Sequence, residues 1–63
     1  MCLSTVYTLR EGKPQPLCRN VASVRTREDG KLVFTDIMGI PTEVKASIER
    51  IDLMDNFIWI RED

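Results

Sequence analysis

The sequence contains no histidine, the side chain that most often acts as a general base near neutral pH and most often binds metals in proteins. Phosphate-binding loops, CxxC pairs and the HExxH and GxSxG motifs are also missing. The carboxylates show no spacing typical of a catalytic pair. These absences weaken every enzymatic interpretation, and we predict that the protein is not an enzyme.

Long apolar runs are missing too. No run approaches the roughly 18 residues that a membrane span needs, and no charged segment followed by an apolar stretch marks a secretory signal. Only two cysteines are present, so a framework of several disulfides is excluded. We therefore expect a cytoplasmic protein with reduced thiols and no contact with a membrane.

The charge is nearly balanced, with 9 basic and 10 acidic residues and a net charge of −1. Strong nonspecific binding to nucleic acid depends on an excess of positive charge, so a nucleic-acid partner is not favoured. One alternative stays open. Arg19, Arg25 and Arg27 fall on one predicted strand, close to Phe34, and arginines beside an aromatic ring can hold single-stranded RNA or DNA on a small β-barrel.

A chain of 63 residues forms one domain, residues 1–63. A domain of this size buries only about 60% of its unfolded surface and is marginally stable as a monomer. Small scaffolds therefore need additional support from disulfides, a metal or oligomerisation. With a disulfide framework excluded, a metal ion, a homodimer or both are expected.

Short runs of β-branched and aromatic residues, separated by turn residues, predict an all-β chain. The predicted strands cover residues 2–9, 17–27, 31–37, 42–45, 48–54 and 57–61. Gly12, Pro14 and Pro16 indicate a loop over 10–16, and one helical turn near Ala46 is an alternative between the fourth and fifth strands. Five or six short antiparallel strands must curl to bury one face. We expect a small SH3-like barrel or a compact β-sandwich that forms a homodimer.

Two hairpins fix the expected core. A two-residue turn at Asp29-Gly30 pairs Thr26 with Val33 and Val24 with Thr35, and places Arg25 opposite Phe34. A two-residue turn at Asp55-Asn56 pairs Leu53 with Ile58 and Ile51 with Ile60. By the two-residue period of a strand, one shared face holds Val24, Val33 and Ile37, and another holds Ile51, Leu53, Ile58 and Ile60. The opposite face of the last hairpin holds Met54, Phe57 and Trp59, half-exposed or buried in a partner.

Cys2 is the most chemically distinctive residue, because it directly follows Met1. Aminopeptidases remove an initiator methionine that precedes a small side chain, which would leave a free amine and a thiol on Cys2. These two groups titrate near pH ~8 and ~8.5 and can chelate a metal together. Two copies meeting at a two-fold axis would provide two amines and two thiolates. Square-planar N/S coordination suits Ni(II) or Cu(II), and tetrahedral thiolate coordination suits Zn(II).

The second cysteine, Cys18, is expected to be a packing residue. If Leu9 lies opposite Leu17, then Cys18 lies near Thr8, roughly 20 Å along the strand from Cys2 at ~3.3 Å per residue. A disulfide needs Cα atoms closer than ~7 Å. We therefore expect no disulfide between the two cysteines of one chain.

The chain resembles the CooT-type nickel-binding proteins over nearly its whole length. The resemblance rests on residues 1–7 (MCLSTVY), the Asp29-Gly30 turn, residues 36–39 (DIMG), residues 51–56 (IDLMDN) and the apolar strand 57–60. It implies a small β-rich homodimer that delivers nickel to anaerobic carbon monoxide dehydrogenase, with nickel bound through the cysteine after the initiator methionine, here Cys2. Similar sequences also carry an RNA-binding label, which rests on analogy of fold.

The residues alone permit nickel, copper or zinc, and the resemblance selects nickel. The leading hypothesis is a nickel-binding accessory protein, with Ni(II) held by Cys2 at a homodimer interface for delivery to, or storage for, a nickel enzyme. The N-terminal amine or a backbone nitrogen, such as that of Leu3, would be the co-ligand of each Cys2 thiolate. A maturation protein of that enzyme is a further expected partner. The alternatives are a small RNA or single-stranded DNA module and a purely structural interaction domain.

Overall fold

The structure is a computed structural model that describes residues 3–63. It contains five strands, joined in chain order into a closed barrel. The strands are β1 (Ser4–Arg10), β2 (Lys13–Thr26), β3 (Lys31–Asp36), β4 (Pro41–Asp52) and β5 (Phe57–Glu62). The all-β prediction is confirmed. In the described part of the chain no helix is long and apolar enough to cross a membrane.

The barrel closes through a parallel pair, which differs from the fully antiparallel expectation. Neighbouring strands along the chain are antiparallel, and β1 lies parallel to β5, with Thr5 beside Phe57 and Thr8 beside Ile60. Five strands that alternate in direction leave the first and the fifth pointing the same way. An odd number of strands in this order can therefore close only through a parallel pair.

Two long strands turn the corners of the barrel. The first half of β2 pairs with β1, and from Val21 onward it pairs with β3. In the same way β4 pairs with β3 up to Lys45 and with β5 from Ala46. Ala46 is buried in the core, so the expected division of β4 into two strands, with an alternative helical turn, is wrong. A continuous bent strand lets residues 41–52 pair first with β3 and then with β5.

The first hairpin is tighter than the predicted loop over 10–16. Its turn is Glu11-Gly12, and both residues have positive φ, 54° and 76°, as a type I′ turn requires. Pro14 and Pro16 lie within β2, opposite Leu9 and Tyr7. Proline has no N–H to donate and is confined to edge strands. It is tolerated here because this half of β2 pairs on one side only, with β1.

The second hairpin corrects the predicted register by one residue. Thr26 pairs with Leu32 rather than Val33, and Val24 pairs with Phe34. The Arg27 N–H donates to the Lys31 carbonyl at 2.8 Å, so three residues form the loop. The last of them, Gly30, has φ +87°, as in a hairpin closed by a glycine bulge. This extra loop residue turns Leu32 and Phe34 inward and Val33 outward.

The last hairpin also has a longer turn than expected. Asp52 pairs with Phe57, so residues 53–56 form the loop. The Asp52 carboxylate accepts the backbone N–H groups of Met54 and Asp55, both at 3.1 Å. The bond from the Asp55 N–H has the largest effect. With the Arg50 side chain and the Met54 N–H, it holds the pKa of Asp52 below its usual value. The expected core place of Leu53 is therefore wrong, because this side chain is 83% exposed.

The register of β4 against β5 shifts as well. Ile51 pairs with Ile58 and Ile48 with Ile60, because a bulge at Glu49 adds a residue to β4. Ile51 is exposed and is not part of the buried core, which corrects the predicted apolar face. The core that the barrel does enclose consists of Val6, Val21, Leu32, Phe34, Ala46, Ile58 and Ile60.

Candidate functional site

The expected metal ligand, Cys2, lies outside the described residues, which begin at Leu3. The structure does describe the residues around the beginning of β1. Ser4 pairs with Val21 of β2, and the Thr5 N–H donates to the Asn56 carbonyl at 2.9 Å. The start of β1 therefore runs between the middle of β2 and the turn that precedes β5.

Two apolar turns flank the start of β1. On one side, the turn over 37–40 is bound to β2 because the Ile37 N–H donates to the Asn20 carbonyl at 2.9 Å. On the other side lies the turn over 53–56. Met38 is 80% exposed and Met54 is 92% exposed. The exposed apolar side chains on and beside the two turns, called the apolar rim below, are Ile37, Met38, Ile40, Ile51, Leu53 and Met54.

The apolar rim lies at one end of the barrel. Neighbouring strands are ~4.8 Å apart, and three such steps lead from Ile37 through Asn20 and Ser4 to Asn56. The backbones of the two turns are therefore roughly 15 Å apart, with β1 between them. Asp36 accepts the N–H groups of Met38 and Ile40 through one carboxylate oxygen, at 2.9 and 3.0 Å. The polar groups of this turn are thus satisfied internally, and its apolar side chains project into solvent.

Cys18 occupies a different environment. It is half-buried, packs against the core and pairs with Val6, not with Thr8 as expected. Burial, helped by the negative charge of Asp36, raises the pKa of the Cys18 thiol. It therefore stays protonated at neutral pH, in keeping with the expected packing role. Within residues 3–63, no three histidine, cysteine or acidic side chains cluster as a metal site would require.

The structure separates the residues of the nucleic-acid alternative. Phe34 is 1% exposed inside the barrel and cannot stack on a base, and Arg25 pairs with Val33 rather than with Phe34. Arg27 forms an ion pair with Glu43 at 2.7 Å. Arg19 and Arg25 are exposed, but the ring that was to accompany them is buried. This arrangement does not form the expected stacking surface.

The sequence predicts only part of an aromatic cluster on the outside of the barrel. Tyr7 stacks on Trp59, with ring centroids 5.2 Å apart, and meets Phe57 edge-on at 5.3 Å. The two-residue period does put Phe57 and Trp59 on the face opposite Ile58 and Ile60. Tyr7 joins them only because β1 lies beside β5, and nothing in the local sequence indicates that pairing.

The end of β5 holds a polar cluster that gives the fold a pH dependence. The Thr8 hydroxyl donates to Glu62 Oε2 at 3.2 Å, and Arg10 donates to both oxygens of the same carboxylate. The hydrogen bond from Arg10, with support from Thr8, lowers the pKa of Glu62. A carboxyl whose pKa is lower in the folded state stabilises the fold above its unfolded pKa, and this contribution disappears as pH falls through its folded pKa.

We therefore expect urea midpoints to fall as pH is lowered below ~4.5, the ordinary range of a glutamate. Glu62→Gln should show a lower midpoint at pH 7 and a shallower fall between pH 7 and pH 3. The matched control is Glu28→Gln, in an exposed turn, which should keep the slope of the parent protein. Equal slopes for the parent and Glu62→Gln would contradict the assigned role of this carboxylate.

Comparisons with known proteins agree with this architecture. The family model described as "CO dehydrogenase accessory protein CooT" matches residues 1–61. A crystal structure assigned to CooT from Carboxydothermus hydrogenoformans superimposes with a TM-score of 0.88 at 24% sequence identity, over 98% of each chain. At that identity the likeness supports the barrel fold alone. No curated protein matches the sequence. Since the family model covers nearly all of the 63 residues, the chain belongs to the CooT family of CO dehydrogenase accessory proteins.

Proposed function

We propose that the protein is a cytoplasmic, non-enzymatic homodimer that binds Ni(II) through Cys2 and stores or delivers it for maturation of a nickel enzyme such as carbon monoxide dehydrogenase. Family membership supports the accessory role. The observation that carries the shared site is the apolar rim, because it flanks the start of β1, which begins two residues after Cys2. Nickel is the cargo of this protein, and the chain itself carries out no reaction on it.

The proposed ligand set follows from the chemistry of Cys2. After removal of Met1, the α-amine and the thiolate of Cys2 form a five-membered chelate ring with the metal. One such pair fills half of a square plane, and two pairs complete it, which suits Ni(II). Cys18 offers no comparable donor, because its thiol is half-buried and its pKa is raised. The second pair of donors is therefore expected from a second copy of the chain.

The apolar rim has the right size to hold that second copy. Full burial of one leucine, isoleucine or methionine side chain stabilises a protein or a complex by about 1.5–3 kcal/mol, which corresponds to ~25 cal/mol for each Å² of apolar surface removed from water. By that relation six side chains that are 52–92% exposed carry roughly 250–500 Å² of apolar surface. A standard interface covers ~800 Å² on each partner, and homodimer interfaces are ~65% apolar. The apolar rim alone therefore supplies a large part of the apolar share of a stable dimer.

A nickel titration tests the metal site. Protein verified by mass spectrometry to begin at Cys2 is titrated with Ni(II) while the thiolate-to-nickel charge-transfer absorbance is followed. We expect saturation at one nickel ion for every two chains, because each chain supplies half of the ligands. An absence of the charge-transfer band in such protein would refute the nickel proposal, and saturation at one ion for each chain would refute the shared site.

A charge placed on the apolar rim tests the dimer. Met54→Glu should convert the dimer into a monomer, because two carboxylates would be buried at the two-fold axis without partners. The nickel affinity should fall with it. Sedimentation equilibrium at micromolar concentration measures the change, and Leu9→Glu, at an exposed position far from the rim, is the matched control that should remain dimeric. A parent protein that sediments as a monomer under these conditions would contradict the proposed interface.

A further inference from the structure

A second apolar surface covers the outside of β1 and β5. In the parallel register Tyr7 lies beside Trp59, and the alternation of strand side chains puts Leu9 and Phe57 on the same outer face. Water normally covers this side of a small barrel. Here the Tyr7 ring packs against the rings of both Trp59 and Phe57, while Leu9 stays 60% exposed. This surface lies outside the core, with Phe57 next to the turn over 53–56 and Leu9 toward the other end of β1.

A groove of about 540 Å³ lies at the end of this surface, within the ~300–1,000 Å³ range of binding pockets. Its exposed apolar part is formed by Leu9 and Trp59, and its polar margin includes Arg50 and Arg61. The groove lies across the sheet of β1, β5 and β4 and is open to solvent on one side. It therefore suits a side chain presented by another protein better than a ligand that must be enclosed.

The charges at the margin neutralise one another. Arg61 pairs with Glu49 at 3.2 Å, and Arg50 pairs with Asp52 at 3.0 Å. Glu62, also at the margin, pairs with Arg10 at 3.3 Å. Every charged side chain that lines the groove thus has an opposite charge within reach among the described residues. The charged lining, Glu49, Arg50, Arg61 and Glu62, is therefore balanced, and it offers no excess charge that would attract a phosphate or a strongly charged segment.

The position of the groove keeps it open in the proposed dimer. Leu9 lies four residues along β1 from Thr5, or ~13 Å at ~3.3 Å per residue, and the apolar rim lies at the Thr5 end. A contact between the rim of one copy and the groove of another would join unlike surfaces. Such head-to-tail contacts form rings or open chains rather than closed dimers. A second copy that enters by its rim is therefore not the expected occupant, and a groove-to-groove contact would be detected by the sedimentation of Leu9→Glu.

We propose that this groove binds an extended, uncharged segment of a partner protein, which inserts one large apolar side chain against Leu9 and Trp59. The apolar side chain supplies the affinity, and the balanced charges at the margin give no net attraction to acidic or basic segments. This inference does not depend on nickel binding. It adds a second face to the protein, at the opposite end of β1 from the rim.

The test uses a displayed library of random nine-residue peptides, selected against the intact protein at 150 mM salt. Peptides that are enriched are then synthesised and titrated while the emission of Trp59, the single tryptophan, is followed. We expect enriched peptides with a central apolar residue and little net charge, and a change in Trp59 emission on binding. Leu9→Glu should weaken binding about tenfold or more, as loss of an interface anchor does, and Met54→Glu should bind as the parent does.

Several results would overturn the proposal. The library would yield no binder, or it would be enriched in strongly acidic or basic peptides. Alternatively, the amide chemical shifts that change on peptide binding would belong to residues away from Leu9 and Trp59. Twelve-nucleotide oligouridine that changes Trp59 emission more strongly than the peptides would show a nucleic-acid site instead. A change in the sedimentation of Leu9→Glu relative to the parent would show that a second copy occupies the groove. A failure of nickel binding alone would affect none of these measurements.

Discussion

Replacement of Cys2 by serine should abolish the nickel charge-transfer band and reduce nickel affinity by roughly 100-fold or more. Removal of a residue that only supports a metal ligand lowers metal affinity by about 10–100-fold, and loss of the ligand itself should have a larger effect. The thiolate is the softest donor in the proposed site, and a serine hydroxyl does not ionise near neutral pH to replace it. Absorbance titration and equilibrium dialysis both measure the effect. The variant should fold like the parent, since the described barrel begins at β1.

The matched control is Cys18→Ser, which removes the other thiol of the chain. It should keep the stoichiometry and the band of the parent, because Cys18 is half-buried against the core with a raised pKa. Nickel binding should also weaken as pH falls below ~8, since the amine and the thiol must lose their protons to bind a metal. Loss of binding in Cys18→Ser with retention in Cys2→Ser would reverse the assignment and refute the proposed site.

Replacement of Phe34 by alanine should remove much or all of the free energy of unfolding. Phe34 is 1% exposed and is the largest of the fully buried side chains, and such truncations cost about 3–5 kcal/mol. At roughly 0.05–0.15 kcal/mol for each residue, a chain of this length has a total stability of only about 3–9 kcal/mol. A single cavity therefore removes much or all of it. Urea unfolding followed by circular dichroism measures the loss.

Val33→Ala is the control for this experiment, because it alters the neighbouring position on the outer face of the same strand. Val33 is half-exposed between Arg25 and Glu43, and its truncation should cost less than ~1 kcal/mol. Equal losses at the two positions would contradict the observed register and return Val33 to the core, where the two-residue turn had placed it. The pair of variants thus measures in solution which side of β3 faces inward.

Errors in the predicted register came from the turns, not from the strands. Asp29-Gly30 correctly indicates a hairpin, but the same two residues are also compatible with a three-residue loop that ends in a glycine with positive φ. One additional loop residue exchanges the two faces of a strand. It therefore moved Val33 outward and Phe34 inward, and removed the only aromatic ring from the nucleic-acid alternative. The loop over 53–56 displaced Leu53 from the predicted core in the same way.

The sequence by itself determined the all-β class, the approximate positions of the strands, the family and the chemical distinctiveness of Cys2, because these depend on local composition and on single residues. Only the tertiary structure decided which faces are buried, how β1 and β5 close the barrel, and that apolar turns from distant parts of the chain lie on the two sides of the first strand. The physical reason is that bulges, loop lengths and pairing between strands far apart in sequence are selected by the packing of the whole barrel. Residues such as Tyr7 and Trp59, separated by most of the chain, therefore become neighbours without any local signal.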